Sequence, residues 1–378
     1  MSASCVTTRK RAWRVLPVVA LLGGMLLVGA PAGAAAPRWP TCNPNVGLIG
    51  YSDALDKQTY AATDIGGLSG MVYDAARDVY YSLVDGQGTT AARIYTLRIP
   101  QTQSGLGAPV VTAVTTLLNA NGAPFTGANF DGEGLTLATN GDWLIASETE
   151  PSLRRFARDG RLLAELPVPQ RFKVAPAGQA VHNAAFEGVS LSPSGKSLFV
   201  VMEAPLGPDG YTLTGKGRNR ILRYVPDNSG LNFHLAAEYY YQTQALQAVS
   251  DVLALSDDRL LVLERSYVPG YGNTVRVFSA TLTNAADVSA IAALGSSKAT
   301  PVPKTLLVDI AGCPDAGVPN RQPQPNRLLD NYEALAWGRS INGERTLLLV
   351  SDDNFNPAQT TRVLALSVPT RALVGRGW

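Results

Sequence analysis

The chain has 378 residues, of which 46% are hydrophobic and 16% charged, a balance that excludes an intrinsically disordered or fibrous protein. Its 32 basic and 30 acidic residues leave a formal charge of +2. That offers no electrostatic reason to expect nucleic acid or an anionic membrane surface as partner.

The first feature along the chain is a basic start, Arg9, Lys10, Arg11 and Arg14, followed by an apolar run over residues 15–28 and a small-residue tail over 29–36. This three-part layout predicts a secretory signal peptide over residues 1–34. Ala32-Gly33-Ala34 fits the cleavage pattern, whereas cutting after Ala36 would leave Pro37 at the new terminus. The run is interrupted by Pro17, Gly23 and Gly24 and is shorter than the about 20 apolar residues of a membrane span. Arg9-Lys10-Arg11 is not a twin-arginine pair and no cysteine follows the run, so the ordinary secretion route to the exterior or the cell envelope is expected, with no membrane contact after cleavage. Removal of four basic residues leaves 28 against 30 acidic ones, a mature charge near −2. Cys5 departs with the signal, and Cys42 and Cys313 remain as an even pair in an oxidising compartment, where a disulfide is expected. It would close a very long loop, worth roughly 4–5 kcal/mol on the chain-entropy account.

Residues 35–67 form the mature amino-terminal segment. From residue 68 the chain becomes repetitive. Short apolar and β-branched runs such as Trp143-Leu-Ile-Ala-Ser147, Arg259-Leu-Leu-Val-Leu-Glu264 and Thr346-Leu-Leu-Leu-Val-Ser351 each follow a turn containing Gly, Asp or Asn, which predicts strands and hairpins. No helical periodicity is sustained over a dozen residues outside the signal. Five segments share one pattern, a strand, a turn and a buried strand ending in an acid. They begin at Gly67-Leu-Ser-Gly, Asp131-Gly-Glu-Gly, Phe186-Glu-Gly, Val249-Ser-Asp and Asn331-Tyr-Glu, and end at Asp85, Glu148, Glu203, Glu264 and Asp352. Similar hairpins recurring every 50–80 residues mean an array of sheets, and stacking them around an axis protects their edges. The expected fold is an all-β propeller over residues 68–367. The wide interval between Glu264 and Glu333, with Thr274-Val-Arg-Val-Phe278 and Lys304-Thr-Leu-Leu-Val-Asp309 in it, favours six blades, with five or seven as alternatives. The ring is expected to close by pairing residues 46–50 with Arg362-Val-Leu-Ala-Leu-Ser367, leaving a tail over 368–378. No linker divides the mature chain, and a monomer is expected.

Inner strands of a propeller face a common axis, so an acid repeated at one place in successive blades gathers in one funnel. Glu133, Glu148, Glu187, Glu203, Glu264, Glu333 and Asp352 are therefore the candidate metal ligands. Crowded carboxylates raise one another's pKa unless a cation compensates, and an oxygen-rich set suits Ca²⁺. Each acid taken singly is better read as capping a turn or pairing locally; the repetition points to a site.

At these residues the chain resembles the phytase-like domain family described as "esterase-like activity of phytase", from about Leu68 to Leu366. The resemblance is carried by Asp131-Gly-Glu-Gly-Leu135 with Ser147-Glu148, by Phe186-Glu-Gly188 with Ser192-Pro-Ser-Gly-Lys196 and Glu203-Ala-Pro-Leu206, by Leu263-Glu-Arg265, Lys304 and Asn331-Tyr-Glu333, and by Ser351-Asp-Asp-Asn-Phe355. It departs from the family pattern at His182-Asn-Ala-Ala-Phe-Glu-Gly and at Asn331-Tyr-Glu-Ala. The resemblance implies hydrolysis of phosphate or carboxylic esters, a small anionic ester as substrate, and calcium. On that basis Glu187, Glu133 and Glu333 are the candidate catalytic carboxylates, and Arg265, Lys304 and His182 the candidate substrate contacts.

Other chemistries fit poorly. The chain has no G-x-S-x-G pentapeptide, no H-E-x-x-H motif and only two histidines, His182 and His234, which argues against a serine hydrolase or a zinc site. Gly215-Lys216-Gly217 lacks phosphate-loop spacing and reads as a flexible turn, although Arg218 and Arg220 beside it add positive charge. The competing expectation is a non-catalytic extracellular propeller that binds a small ligand, a glycan or a protein partner at the same mouth.

Overall fold

The computed structural model describes Met1 and residues 39–86 and 88–373. The expected signal peptide and its cleavage site lie outside the described residues, apart from Met1.

Strands Trp143–Ser147 and Leu198–Met202 are buried at every position, the signature of a strand covered on both faces. Side chains alternate along a strand, so each such run splits between two cores. Leu144 and Ala146 pack with Phe186 and Val189 of the sheet that follows, while Trp143 and Ile145 pack with Tyr81 and Leu83 of the sheet that precedes. The same division repeats at every junction between sheets. It accounts for the continuous apolar runs in the sequence.

Five sheets of four or five strands form the blades, and two two-stranded ribbons, Thr59–Tyr60 with Thr63–Asp64 and Gln101–Thr102 with Gly105–Leu106, stand outside them. Blade 1 runs outward from Leu68–Asp74 through Val79–Val84 and Arg93–Arg98 to Val110–Thr116. Blade 2 is Gly132–Leu137, Trp143–Ser147, Ser152–Phe156 and Leu162–Leu166. Blade 3 is Phe186–Leu191, Leu198–Met202, Lys216–Pro226 and Phe233–Ala245. Blade 4 is Ala248–Ala254, Arg259–Val268, Gly272–Thr281 and Lys304–Asp309. Blade 5 takes Tyr332–Trp337, Arg345–Ser351 and Val363–Val368 from the end of the chain, and Val46–Ser52 and Thr41–Asn43 from its start. The five innermost strands neighbour one another in a closed ring.

Five blades form, one of the alternatives to the favoured six. The segments that suggested a sixth sheet, residues 274–278 and 304–309, are the third and fourth strands of blade 4. A long excursion over residues 282–303 separates them, which makes one sheet look like two in sequence. Closure follows the expected pairing, with Gly47 opposite Ser367 and Leu48 opposite Leu366. The Cys42–Cys313 disulfide ties the outermost strand of blade 5 to the loop after blade 4 across 271 residues of sequence. No helix among the described residues is long and apolar enough to cross a membrane.

Candidate metal centre at the funnel

Each innermost strand is irregular at the same place. Pairing with the second strand shifts between Leu68 and Gly70, Gly132 and Gly134, Phe186 and Val189, Val249 and Asp251, and Tyr332 and Ala334. A bulge leaves its extra residue unpaired and re-aims the side chain. The residues at these bulges are Ser69, Glu133, Glu187, Ser250 and Glu333. The residue that follows the partner of each pre-bulge position is likewise equivalent in all blades: Asp85, Glu148, Glu203, Arg265 and Asp352. Backbone bonds confirm the equivalence, with the N–H groups of Asp85, Glu148, Glu203 and Asp352 donating to the oxygens of Gly67, Asp131, Ala185 and Asn331 at 2.8–2.9 Å. The glycines after two bulges allow the close approach of neighbouring blades: a Cβ on Gly134 would meet the Glu187 oxygen at 2.4 Å, and one on Gly188 would meet Asp251 Oδ1 at 2.5 Å.

These positions converge on one cavity of about 280 Å³ lined by Asp85, Gly86, Asp131, Glu133, Glu148, Asn183, Glu187, Glu203, Arg265, Glu333, Asp352 and Asn354. Six of the seven candidate acids are brought together. Glu264 is not. In blade 4 the acid stands one residue early, paired with Val249, and a one-residue slip turns a side chain to the opposite face. Arg265 takes the funnel position, and Glu264 points between blades 3 and 4, where it accepts from Tyr241 Oη at 2.6 Å and Gln244 N at 2.8 Å and pairs with Lys304. Lys304 is thereby also outside the funnel. His182 is exposed on the loop before blade 3, and its neighbour Asn183 lines the cavity instead. Two lining carboxylates were not among the sequence candidates. Asp85 closes the first hairpin in the place of Glu148, a signal that was available, and Asp131 precedes the bulge of blade 2.

Eight carboxylates face one guanidinium. Arg265 Nη2 lies 2.6 Å from Glu333 Oε1 and 3.6 Å from Glu203 Oε1; burial opposes its charge, but Glu333 and Glu203 more than offset this and hold it firmly protonated. Asp131 accepts from Gly86 N and Thr149 Oγ1, Glu148 from Ala185 N, Glu333 from Asn331 Nδ2 and Asp352 from Asn354 N. Glu187, 5% exposed, accepts no side-chain hydrogen bond among the described residues. Burial, then Glu203, Glu148 and Glu333, push the Glu187 carboxyl well up. Burial, then Glu187 and Glu333, do the same to Glu133. Glu148 is pushed up to about 8 by burial and Glu203.

Oxygen atoms of Asp131, Glu133 and Glu148 lie within 4.8 Å of one another, as do those of Glu148, Glu187 and Glu203. The donors are hard oxygens, with no cysteine or histidine in the lining. This set suits Ca²⁺, which takes 6–8 oxygen ligands, and does not suit zinc. The charge excess that raises the carboxyl pKa values is what a divalent cation would relieve.

Fold and site together define an acid-funnelled five-bladed propeller. The chain belongs to the phytase-like family described as "esterase-like activity of phytase", which matches residues 63–355. An uncharacterized secreted protein from Arthroderma benhamiae is 25% identical over 129 residues, covering 28% of this chain and 25% of that protein; the chain thus spans about a quarter of this relative's length. Among solved structures, the α-L-arabinofuranosidase from Podospora anserina in complex with cellotriose is 9% identical, covers 87% of this chain and 98% of its own, and has a TM-score of 0.42. The PQQ-bound aldose sugar dehydrogenase from Streptomyces coelicolor is 12% identical, covers 87% and 99%, and has a TM-score of 0.38. Values this low transfer no chemistry.

Proposed function

We propose that this is a secreted, monomeric hydrolase of small phosphate or carboxylic esters whose funnel works with bound calcium. The observation that carries the reading is the convergence of eight carboxylates and one arginine, from all five blades, on a single cavity. Asp131, Glu133, Glu148, Glu187 and Glu203 would hold the cation, with Glu148 common to both ligand groups. When bound, a divalent cation polarises a phosphoryl or carbonyl oxygen. Arg265 draws the anionic part of the substrate to its side of the funnel. A positioned carboxylate serves as general base for water, and Glu187, whose side chain accepts no hydrogen bond among the described residues, is the foremost candidate, with Glu133 and Glu333 beside it. Lys304 and His182 have no part in this scheme.

A second reading is supported by the lining itself, which contains no serine, threonine, cysteine or histidine. On that reading the propeller binds a ligand without turning it over. A screen of the secreted protein on phosphomonoesters, phosphodiesters and short acyl esters, with calcium and with chelator, separates the two. Hydrolysis of one class that chelator abolishes is expected, and calcium-dependent binding without hydrolysis would favour the second reading.

A further inference from the structure

The funnel end of blades 3 and 4 is apolar in a way the rest of the surface is not. Tyr211 and Leu213 project from the loop between the second and third strands of blade 3, Leu246 from the turn between blades 3 and 4, and Tyr267 and Tyr271 from the hairpin of blade 4, all at least half exposed. Other exposed large apolar residues, such as Val110, Leu163 and Leu306, are scattered over outermost strands. Exposed apolar side chains gathered at one edge of a fold mark an interaction site.

The three segments are tied to each other and to the funnel. Leu246 N donates to Gly215 O at 3.0 Å, and Gln247 Nε2 donates to Ser266 Oγ at 2.7 Å. Tyr267 stands two residues beyond Arg265 on one strand, so the two share a face. Tyr211 bridges to Gly217 at the start of the third strand of blade 3, and two residues on Asn219 Nδ2 donates to the Glu203 backbone oxygen at 2.8 Å, which ties this loop to the funnel wall. Leu246 has a φ of 60°, a left-handed conformation rare for a bulky side chain, and is 76% exposed. A strained backbone that presents a leucine to solvent is an outlier of the kind found at ligand clamps.

The same edge carries two cations on the blade 3 hairpin, Lys216 and Arg218. Arg218 is engaged, donating to the Asp209 and Tyr211 carbonyl oxygens. A polyphosphate would thus meet an acidic funnel and an edge with Lys216 as its one cation not engaged among the described residues. We propose that Tyr211, Leu213, Leu246, Tyr267 and Tyr271 form the subsite for a bulky apolar group of the substrate, which is thus a soluble amphiphilic monoester with its ester head beside Arg265. This rests on the funnel being the ester site.

The test uses non-hydrolysable probes, methyl-, hexyl- and decylphosphonate, titrated into the calcium-loaded protein beside inositol hexakisphosphate. Decylphosphonate is expected to bind about 10- to 100-fold more tightly than methylphosphonate as methylenes leave water. That preference should shrink severalfold in Leu246→Gly, which also relieves the left-handed strain, and independently in Tyr267→Ser. Equal affinity across the series, a preference unchanged in both variants, or tightest binding of inositol hexakisphosphate would overturn the proposal. So would co-sedimentation with phosphatidylcholine vesicles or a dimer that Leu246→Gly dissolves, since each assigns the patch to another occupant. Chain-length preference without turnover of the matching alkyl esters would remove the hydrolase reading and leave the subsite standing, whereas turnover indifferent to chain length would do the reverse.

Discussion

The central axis has a cavity at each end, the apolar one lined by all five innermost strands and the acidic one by three of them together with the ends of the second strands. The funnel of about 280 Å³ is walled by carboxylates. The other, of about 310 Å³, is walled by Met71, Leu135, Val189, Val252 and Leu335 among others, each two residues beyond the bulge position of its blade. The innermost strands of blades 2, 3 and 5 thus pass from acid to hydrocarbon within about 7 Å of rise. The propeller supplies the axis; the residue at the end of each second strand, joined in blades 2, 3 and 5 by the bulge residue, decides what chemistry faces it. One acid belongs to the apolar end: Asp251 is buried there, accepting from Val252 N at 2.7 Å and Leu335 N at 2.6 Å, and burial pushes its carboxyl well above the ordinary range although both hydrogen bonds oppose this.

The comparison breaks most violently if a charge is placed at the wrong end. Leu335→Glu puts a carboxyl without a hydrogen-bond partner among aliphatic side chains and removes a buried leucine, and a loss of about 4 kcal/mol or more is expected in urea unfolding. A loss under about 1 kcal/mol would mean that the apolar end is wet and the contrast between the ends is false.

The funnel end should show its charge through pH. Burial and mutual repulsion raise the folded-state pKa values of Glu133, Glu148, Glu187, Glu203 and Asp352, so the folded chain binds protons more tightly than the unfolded one. Stability is then fully present below the ordinary carboxylate range and is lost as pH rises toward the Glu148 value of about 8. In chelator, unfolding free energy is expected to fall by roughly 3 kcal/mol between pH 5 and pH 8. Calcium should flatten that slope, and a flat profile in chelator would show that the funnel is already neutralised.

A smaller effect separates the two kinds of glutamate. Glu264→Gln leaves Lys304 beside Tyr241 without its counter-charge and is expected to cost about 2 kcal/mol, with no change in the response to calcium. A calcium response that disappears in this variant would return Glu264 to the metal site.

How much of this was legible in the sequence follows from what repeats. Strand alternation and the recurring hairpins carried the all-β propeller, the closing pair of strands and the two cysteines that meet. Six of the funnel acids were legible because the acid recurs at one place in the pattern. Glu264 misled because Glu-Arg in blade 4 satisfies the same pattern as Ser-Glu in blade 2, and only the bulge register between Val249 and Asp251 shows that Arg265 is the residue in phase. A bulge has no residue type of its own, since Ser69, Glu133 and Ser250 all occupy it. The blade count was obscured by residues 282–303, which sit inside blade 4 while looking like a boundary. The apolar edge of the funnel was hidden because exposure of Tyr211 or Tyr267 depends on which loops meet, and buried Tyr239 and Tyr241 on a nearby strand look the same in sequence.

The central claim is that the funnel carboxylates hold a divalent cation, and thermal unfolding of wild type and Glu187→Gln in chelator and in millimolar calcium tests it most directly. A cation that binds only the folded state should raise the wild-type Tm by about 3–4 °C at roughly 100 times its Kd. In chelator Glu187→Gln should be more stable than wild type by about 0.5–1 kcal/mol, because one repelling charge is gone, and its calcium-dependent rise should vanish. A wild-type Tm that stays the same from chelator to millimolar calcium would contradict the account.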